Sequence, residues 1–325
     1  MRQENLPSVV PRQVYMVLSP RALPYARYCI ESLLKNSYQA LHLHLITDSN
    51  EDKLRLIEVM DVVHTDKRHR WDVVAEIEML DREATTFRGF GNLRTFRTGH
   101  PCWRKITDPL LLSEPGEELV LLDPDVYFPN LFQFEVTPES GLLLMFQRPN
   151  CLLPPEIVSS AFEKGIPLAD HVDIGVAHWR AGRDLEWIDW LIGKLGGNSL
   201  PRVMHIEAII WAAIGMHEGG GHLDPLRWVC WHRTQLSRLK QKIGVSGKDI
   251  LRNERWEDMK CLHCGGASKW WLPDCSGDLL RRRRDHLEPS RVIPFIEFTR
   301  EKFASGQRAR SILRTLGYYK LLGSY

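Results

Sequence analysis

The 325-residue sequence has no apolar run near the ~20 residues needed to cross a bilayer. Its opening residues, MRQENLPSVVPRQ, lack the basic-then-apolar order of a secretory leader, so a cytoplasmic protein is the expectation. Cysteine is sparse and scattered. Cys29, Cys102, Cys151, Cys230, Cys261, Cys264 and Cys275 are odd in number, which fits reduced thiols better than a secreted disulfide framework. No internal repeat, long low-complexity linker or recognised nucleic-acid-binding motif is present, and a nucleic-acid partner is not expected. What remains is an ordinary globular composition, 43% apolar and 26% charged, in a chain long enough to bury a sizeable core.

The net charge is only +2, yet it is unevenly spread. Residues 278–325 hold eleven Lys and Arg against five Asp and Glu, which leaves the first 277 residues mildly acidic at −4. Arg281 to Arg284, Arg308, Arg310, Arg314 and Lys320 could meet anionic lipid headgroups at a membrane periphery or an acidic acceptor. A solvated helix face is the plainer reading of such a run.

Hydrophobic periodicity gives an α/β order. Val14 to Leu18 reads as a strand, Ser19 to Pro24 as the loop that leaves it, and Tyr25 to Asn36 as an amphipathic helix. Leu41 to Thr47 reads as a second strand, Glu51 to Met60 as a helix and Asp61 to Val63 as a short third strand. Trp71 to Arg82 reads as helical, Thr85 to Gly99 as loop or short helices, and Lys105 to Leu112 as a short amphipathic helix. Gly141 to Phe146 and His171 to Trp179 are further strands, with helices near Asp184 to Leu195 and Met204 to Ala213. Gly219-Gly220-Gly221-His222 reads as a loop. The alternation implies a central, mostly parallel sheet flanked by helices. The simplest division is one domain over 1–277 and a basic, largely helical extension over 278–325.

One segment points to chemistry. Glu118 to Leu122 is a buried-strand run that ends in Asp123-Pro124-Asp125 before apolar residues resume. Ligands of open α/β sheets collect at the carboxyl ends of strands, so both acids would lie where a ligand sits. Paired carboxylates there offer hard oxygens to Mg²⁺ or Mn²⁺, whose other positions suit phosphates and water. The alternative is a strand-ending turn, because Asp and Pro are common turn residues.

Residues 261–271, Cys-Leu-His-Cys-Gly-Gly-Ala-Ser-Lys-Trp-Trp, contain His263, Gly266, Lys269 and Trp270 in the order H-x-x-G-x-x-K-W. This resembles the His-x-x-Gly-x-x-Lys-Pro-Trp signature of the family-eight retaining glycosyltransferases, the glycogenin and bacterial lipooligosaccharide galactosyltransferase type; Trp270 stands where the family has Pro. Leu45-Ile46-Thr47-Asp48, Trp103-Arg104-Lys105-Ile106 and Asp173-Ile174-Gly175-Val176 follow the family's order, the last resembling its Asn-x-Gly-Val segment. The resemblance covers about residues 13–271. It implies a GT-A-like (Rossmann-like) nucleotide-diphospho-sugar transferase fold and a metal-dependent hexosyltransferase. The donor would be a nucleotide-diphosphate sugar, a UDP-sugar by family, and the acceptor a glycan, lipid-linked, protein or small-molecule hydroxyl.

The resemblance also implies roles. Asp123, Asp125 and His263 would hold one divalent ion, and a mixed oxygen and nitrogen set suits Mn²⁺ better than Mg²⁺. Gly266 would let the backbone approach the phosphates, and Lys269 would add a point charge. Ser19 and Tyr25 fall where the nucleotide is held, and Lys105, with Arg104 as its alternative, where the family has a donor-contacting Arg. Asp173 takes the place of an Asn near the sugar. Met204 to Ile209 departs from the family's Asp-Gln-Asp: aligned in register, His205 and Ile206 face the sugar, whereas a two-residue slip brings Glu207 there.

Three other readings compete. An inverting enzyme would use Asp173 or Glu207 as general base. A chain that has lost catalysis would only bind nucleotide sugar. Cys261, His263, Cys264 and Cys275 could instead hold structural zinc, although their spacing matches no usual knuckle.

Overall fold

A computed structural model describes residues 10–318 except 65, 183, 233 and 280–283. Among the described residues thirteen strands form: β1 (Arg12–Val17), β2 (Leu41–Thr47), β3 (Arg70–Ala75), β4 (Glu118–Leu122), β5 (Val126–Tyr127), β6 (Leu131–Phe132), β7 (Leu142–Phe146), β8 (Val172–Arg180), β9 (Gly220–Leu223), β10 (Trp228–Cys230), β11 (Cys261–His263), β12 (Asp285–His286) and β13 (Val292–Pro294). The main sheet runs β3-β2-β1-β4-β8-β7-β10-β11-β5, with β9 beside β7 and β13 beside β9. The β1, β2, β3 and β4 pairings are parallel, whereas β8 runs antiparallel between β4 and β7. The α/β class and mostly parallel sheet expected from the sequence are therefore present.

Alternation along the strands sends side chains to two cores. Val14, Met16, Leu43, Leu45, Val120 and Leu122 pack beneath α1 (Leu23–Asn36) and α2 (Asn50–Val63). Tyr15, Ile46, Leu119 and Leu121 face the other way. On that side lie α3 (Leu80–Thr86), α4 (Gly91–Gly99), α5 (Arg104–Leu112), α6 (Pro155–Glu163), α7 (Leu185–Leu195) and α8 (Ile206–Glu218). The helix starts have local causes. The Ser49 hydroxyl accepts from the Asp52 N–H to cap α2, and the Asp184 carboxylate accepts from the Trp187 N–H to cap α7.

Three expectations change. Asp61 to Val63 is the last turn of α2, closed by the His64 N–H on the Met60 carbonyl, because two valines at a helix end cost little. Trp71 to Ala75 belongs to β3. Six register pairs, from His42–Arg70 to Thr47–Ala75, satisfy its backbone and outweigh the local pattern, so the third strand comes ten residues late. Gly220 to Leu223 is a strand, not a loop; a Cβ on Gly220 would lie 2.0 Å from the Leu142 carbonyl oxygen, and that contact requires glycine.

Beyond residue 277, β12 pairs with β6, β13 with β9, and the helix Arg300–Thr315 follows with no buried residue. Arg281, Arg282, Arg283 and Lys320 lie outside the described residues. Among the described residues no helix is long and apolar enough to cross a membrane.

Helix α5 is anchored by charge. Buried Asp108 accepts from Arg97 Nε and Arg104 Nε, each at 2.7 Å, and Arg97 Nη1 also donates to Glu83 at 2.5 Å. Arg104 further reaches Asp48 and the Thr47 carbonyl. Removing the shared acceptor leaves the Nε donors of two buried guanidinium groups unpaired. Asp108→Ala should therefore lower unfolding free energy by about 3–5 kcal/mol, read as a shifted urea midpoint.

Candidate active site

The carboxyl ends of β1, β2 and β4 open into one cavity of about 740 Å³, lined there by Ser19, Asp48, Asp123 and Asp125. This is the sheet edge at which α/β folds gather ligands. Two backbone contacts hold the acids. The Asp123 N–H donates to the Gly175 carbonyl at 2.9 Å, and the Cys264 N–H to the Asp125 carbonyl at 2.8 Å. β11 lies antiparallel to β5 with His263 opposite Val126, which sets the imidazole beside Asp125 across 138 residues of chain.

His263 lies among three carboxylates. Its Nε2 is 3.3 Å from Asp125 Oδ1 and 3.7 Å from Asp123 Oδ2, while its Nδ1 is 2.8 Å from Asp173 Oδ2. Burial disfavours the imidazolium, but Asp173 and Asp125 outweigh it and hold the ring's pKa well above the usual histidine range. Burial likewise pushes Asp125 up, yet His263 and Lys269 carry it below its ordinary value. Gly175 makes room for the ring: a Cβ there would lie 2.5 Å from His263 Cγ and Nδ1.

Two lysines complete the charge pattern. Lys105 Nζ donates to Asp123 Oδ1 at 2.5 Å and lies 3.0 Å from Glu207 Oε2. Lys269 Nζ is 3.7 Å from Asp125 Oδ2 and 5.0 Å from the centre of the Tyr25 ring. Asp123, Asp125, Asp173 and Glu207 thus face two ammonium groups and one imidazole. One ligand atom from each of Asp123, Asp125 and His263 lies within 4.8 Å of the other two. Ligands about 2.1 Å from a shared ion stand roughly 3 Å apart, so these residues fit one divalent cation after a small inward shift. Asp173 on the far ring nitrogen fixes the tautomer, as carboxylates do behind metal-bound histidines.

The site residues named from the sequence come together. Ser19, Tyr25, Lys105, Asp123, Asp125, Asp173, His205, Glu207, His263, Gly266 and Lys269 all line this cavity. Between the two basic alternatives, Lys105 faces it and Arg104 turns into the Asp108 anchor. Ile206 is fully buried in the core, so α8 presents Glu207 and not Ile206 to the cavity. Glu207 is only 1% exposed, against the exposed helix position otherwise common for Glu. Burial pushes its carboxyl up to about 8 although Lys105 pulls the other way. Gly266 has φ +66°, a left-handed conformation that glycine adopts without strain.

The cysteines do not assemble with His263 in the way the zinc reading requires. Cys261 packs with Val14 and Trp228, whereas Cys264 and Cys275 pack with Tyr127 and Trp256 in a separate cluster. Most tryptophans of the second half are core. Trp190 and Trp270 are exposed, at 45% and 52%, and Trp270 is set edge-on to Tyr25 with ring centres 5.0 Å apart.

Sequence reasoning missed Gln147, Cys151, Cys230 and His232 as cavity lining. None carries a local motif. Pairing of β7, β10 and β11 brings them in, and no spacing rule would have found them.

No protein-family model matches this chain, and no curated protein matches it by sequence. Similar solved structures include mouse xyloside xylosyltransferase 1 in its apo form, at 13% identity, covering 80% of this chain and 99% of that one with a TM-score of 0.49. The galactosyltransferase LgtC in complex with donor and acceptor sugar analogs shows 12% identity, 83% and 95% coverage and a TM-score of 0.45. The apo bifunctional glycosyltransferase WbbM shows 11% identity, 86% and 50% coverage and a TM-score of 0.45. At such values the chemistry has to be read from this chain's own site.

Gly175→Ala should displace the His263 ring and weaken Mn²⁺ binding at the site by at least about tenfold, measured by calorimetry, with the far-ultraviolet circular dichroism unchanged.

Proposed function

We propose that this protein is a GT-A-like, metal-dependent glycosyltransferase that moves a hexose from a UDP-sugar to an acceptor hydroxyl with retention of anomeric configuration. The observation that carries the reading is the meeting of Asp123, Asp125 and His263 in one cavity, with Lys105 and Lys269 on either side. Neither acid of the Asp-x-Asp pair spends both oxygens on lysine. Lys105 takes Asp123 Oδ1 and Lys269 lies near Asp125 Oδ2, which leaves Oδ2 and Oδ1 beside the imidazole.

Mn²⁺ suits this donor set better than Mg²⁺, because one of the three ligands is nitrogen. Such an ion, held by Asp123, Asp125 and His263, would supply positive charge to the leaving diphosphate. Lys269 adds its charge to the same phosphate oxygens, held over the Tyr25 ring by cation–π attraction. Ser19 and Tyr25 border the nucleotide, and Gly266 lets the backbone come close to the phosphates. Asp173 acts through His263, orienting its ring. Glu207 with Lys105 faces the sugar; a carboxylate there orients donor hydroxyls and stabilises positive charge at the anomeric carbon. His205, exposed at the N-cap of α8, also lines the cavity.

Retention is favoured over inversion because both candidate bases are engaged: Asp173 by His263, and Glu207 by Lys105 and the Trp211 indole N–H at 3.4 Å. The acceptor proton then passes to the departing phosphate oxygen. The acceptor class we assign is a hydroxyl of a glycan, lipid-linked intermediate, protein or small molecule.

The wild-type protein should hydrolyse a UDP-hexose slowly in the presence of Mn²⁺, and Asp125→Asn should reduce that rate by about 10²- to 10³-fold. Glu207→Gln should lower kcat while UDP affinity, measured by calorimetry, stays within about twofold. Absence of metal-dependent UDP binding would sink the transferase reading. An inverted anomeric product, assigned by NMR, would overturn retention alone.

A further inference from the structure

A second cluster lies on the same sheet, away from the cavity. β2 is a strand of alternating leucine and histidine: Leu41, Leu43 and Leu45 enter one core, and His42 and His44 face the other side with Ile46. Parallel register sets Asp72 of β3 beside His44 and Gln13 of β1 beside His42. These are the amino-terminal halves of the strands. Along β2, His42 precedes the cavity-lining Asp48 by six residues, or about 20 Å. No residue of the cluster lines the cavity, and the proposed transfer reaction uses none of them.

The three polar groups converge on one point. His42 Nε2 lies 2.7 Å from Asp72 Oδ2, and His44 Nδ1 lies 2.9 Å from the same oxygen and 3.1 Å from Oδ1. The two imidazole centres are 4.1 Å apart. The hydrogen bonds fix how His44 is presented. Gln13 Nε2 donates to the Pro11 carbonyl at 3.2 Å, so its Oε1 is the atom that faces His44 Nε2 at 2.8 Å and accepts from it. With the proton on Nε2, neutral His44 turns the bare lone pair of Nδ1 toward a carboxylate oxygen. That contact is repulsive unless positive charge lies between them.

One divalent cation set between the two imidazoles and Asp72 supplies that charge. The ring of His44 is also braced from behind, stacked on Tyr15 with centres 4.5 Å apart, and its far nitrogen is tied to an amide oxygen, the arrangement that orients metal-bound histidines.

We propose that His42, His44 and Asp72 form a second, structural metal site that takes Zn²⁺ through two imidazole nitrogens and one carboxylate oxygen, with water in the remaining position. Two nitrogens and one oxygen suit Zn²⁺ and exclude Mg²⁺ or Ca²⁺, which prefer all-oxygen shells. Ligand atoms around tetrahedral zinc stand about 3.3 Å apart, so the site opens by a few tenths of an ångström on loading. It has room to do so: the Asp72 side chain is 39% exposed, and β3 is the edge of the sheet. The His42 and His44 side chains, at 29% and 12%, leave a path for the ion. Bound there, zinc would clip edge strand β3 to β2.

Calorimetric titration of Zn²⁺ into chelator-treated full-length protein tests this, with His42→Gln and Asp72→Asn as variants and circular dichroism confirming the fold. One equivalent present in the wild type should be lost in each variant. Gln13→Ala should retain that equivalent with affinity weakened about 10- to 100-fold. The metal-free variants should also melt as the wild type does, while Zn²⁺ raises the wild-type melting temperature more than theirs. Equal stoichiometry and affinity in the wild type and both ligand variants would overturn the proposal. Because the readout is binding, the result stands apart from any failure of the transferase activity.

Discussion

Everything at the cavity depends on one short antiparallel pairing. β5 and β11 share only two register pairs, yet this brings His263 next to Asp125 and lets Asp125 accept from the Cys264 N–H. Without it the imidazole would have no reason to be among carboxylates, and Asp123 and Asp125 would repel each other with only lysine to balance them. The pairing needs space as well as hydrogen bonds. Gly175 of β8 supplies it, since any side chain there would occupy the position of the ring.

Buried charge on this scale is stable only when it is shared, because an isolated ion in a low-dielectric interior costs several kcal/mol. Two networks do the sharing. In the first, Asp108 joins Arg97 and Arg104, fixes α5 and so aims Lys105 at the cavity. In the second, Lys105 lies between Asp123 and Glu207, and one ammonium group serves two carboxylates. Burial raises both acids while Lys105 opposes it. The site thus depends on a scaffold of ion pairs outside it.

One parallel sheet serves two ends differently. Beyond the carboxyl ends the chain passes into loops that border a cavity, whereas within β1, β2 and β3 the pairing holds side chains at fixed spacing. Chemistry that must admit a substrate belongs to the first end. A rigid set of ligands such as His42, His44 and Asp72 belongs to the second, where the strand register itself sets the distances.

The sequence alone determined the α/β order, the strand bearing Asp123 and Asp125, and the segment bearing His263, Gly266 and Lys269. These were legible because periodicity and short motifs are local, and a buried strand or a glycine-spaced cation announces itself within ten residues. It misplaced the third strand, since β3 owes its form to pairing with β2 and not to its own pattern. It also left Glu207 and Ile206 undecided, because a one-residue change of helix phase exchanges core for cavity. Only the tertiary structure chose Glu207, turned Asp173 onto His263, separated Arg104 from Lys105 and gathered His42, His44 and Asp72. Those are relations between segments distant in the chain, fixed by strand register and helix rotation, and no single stretch of sequence contains them.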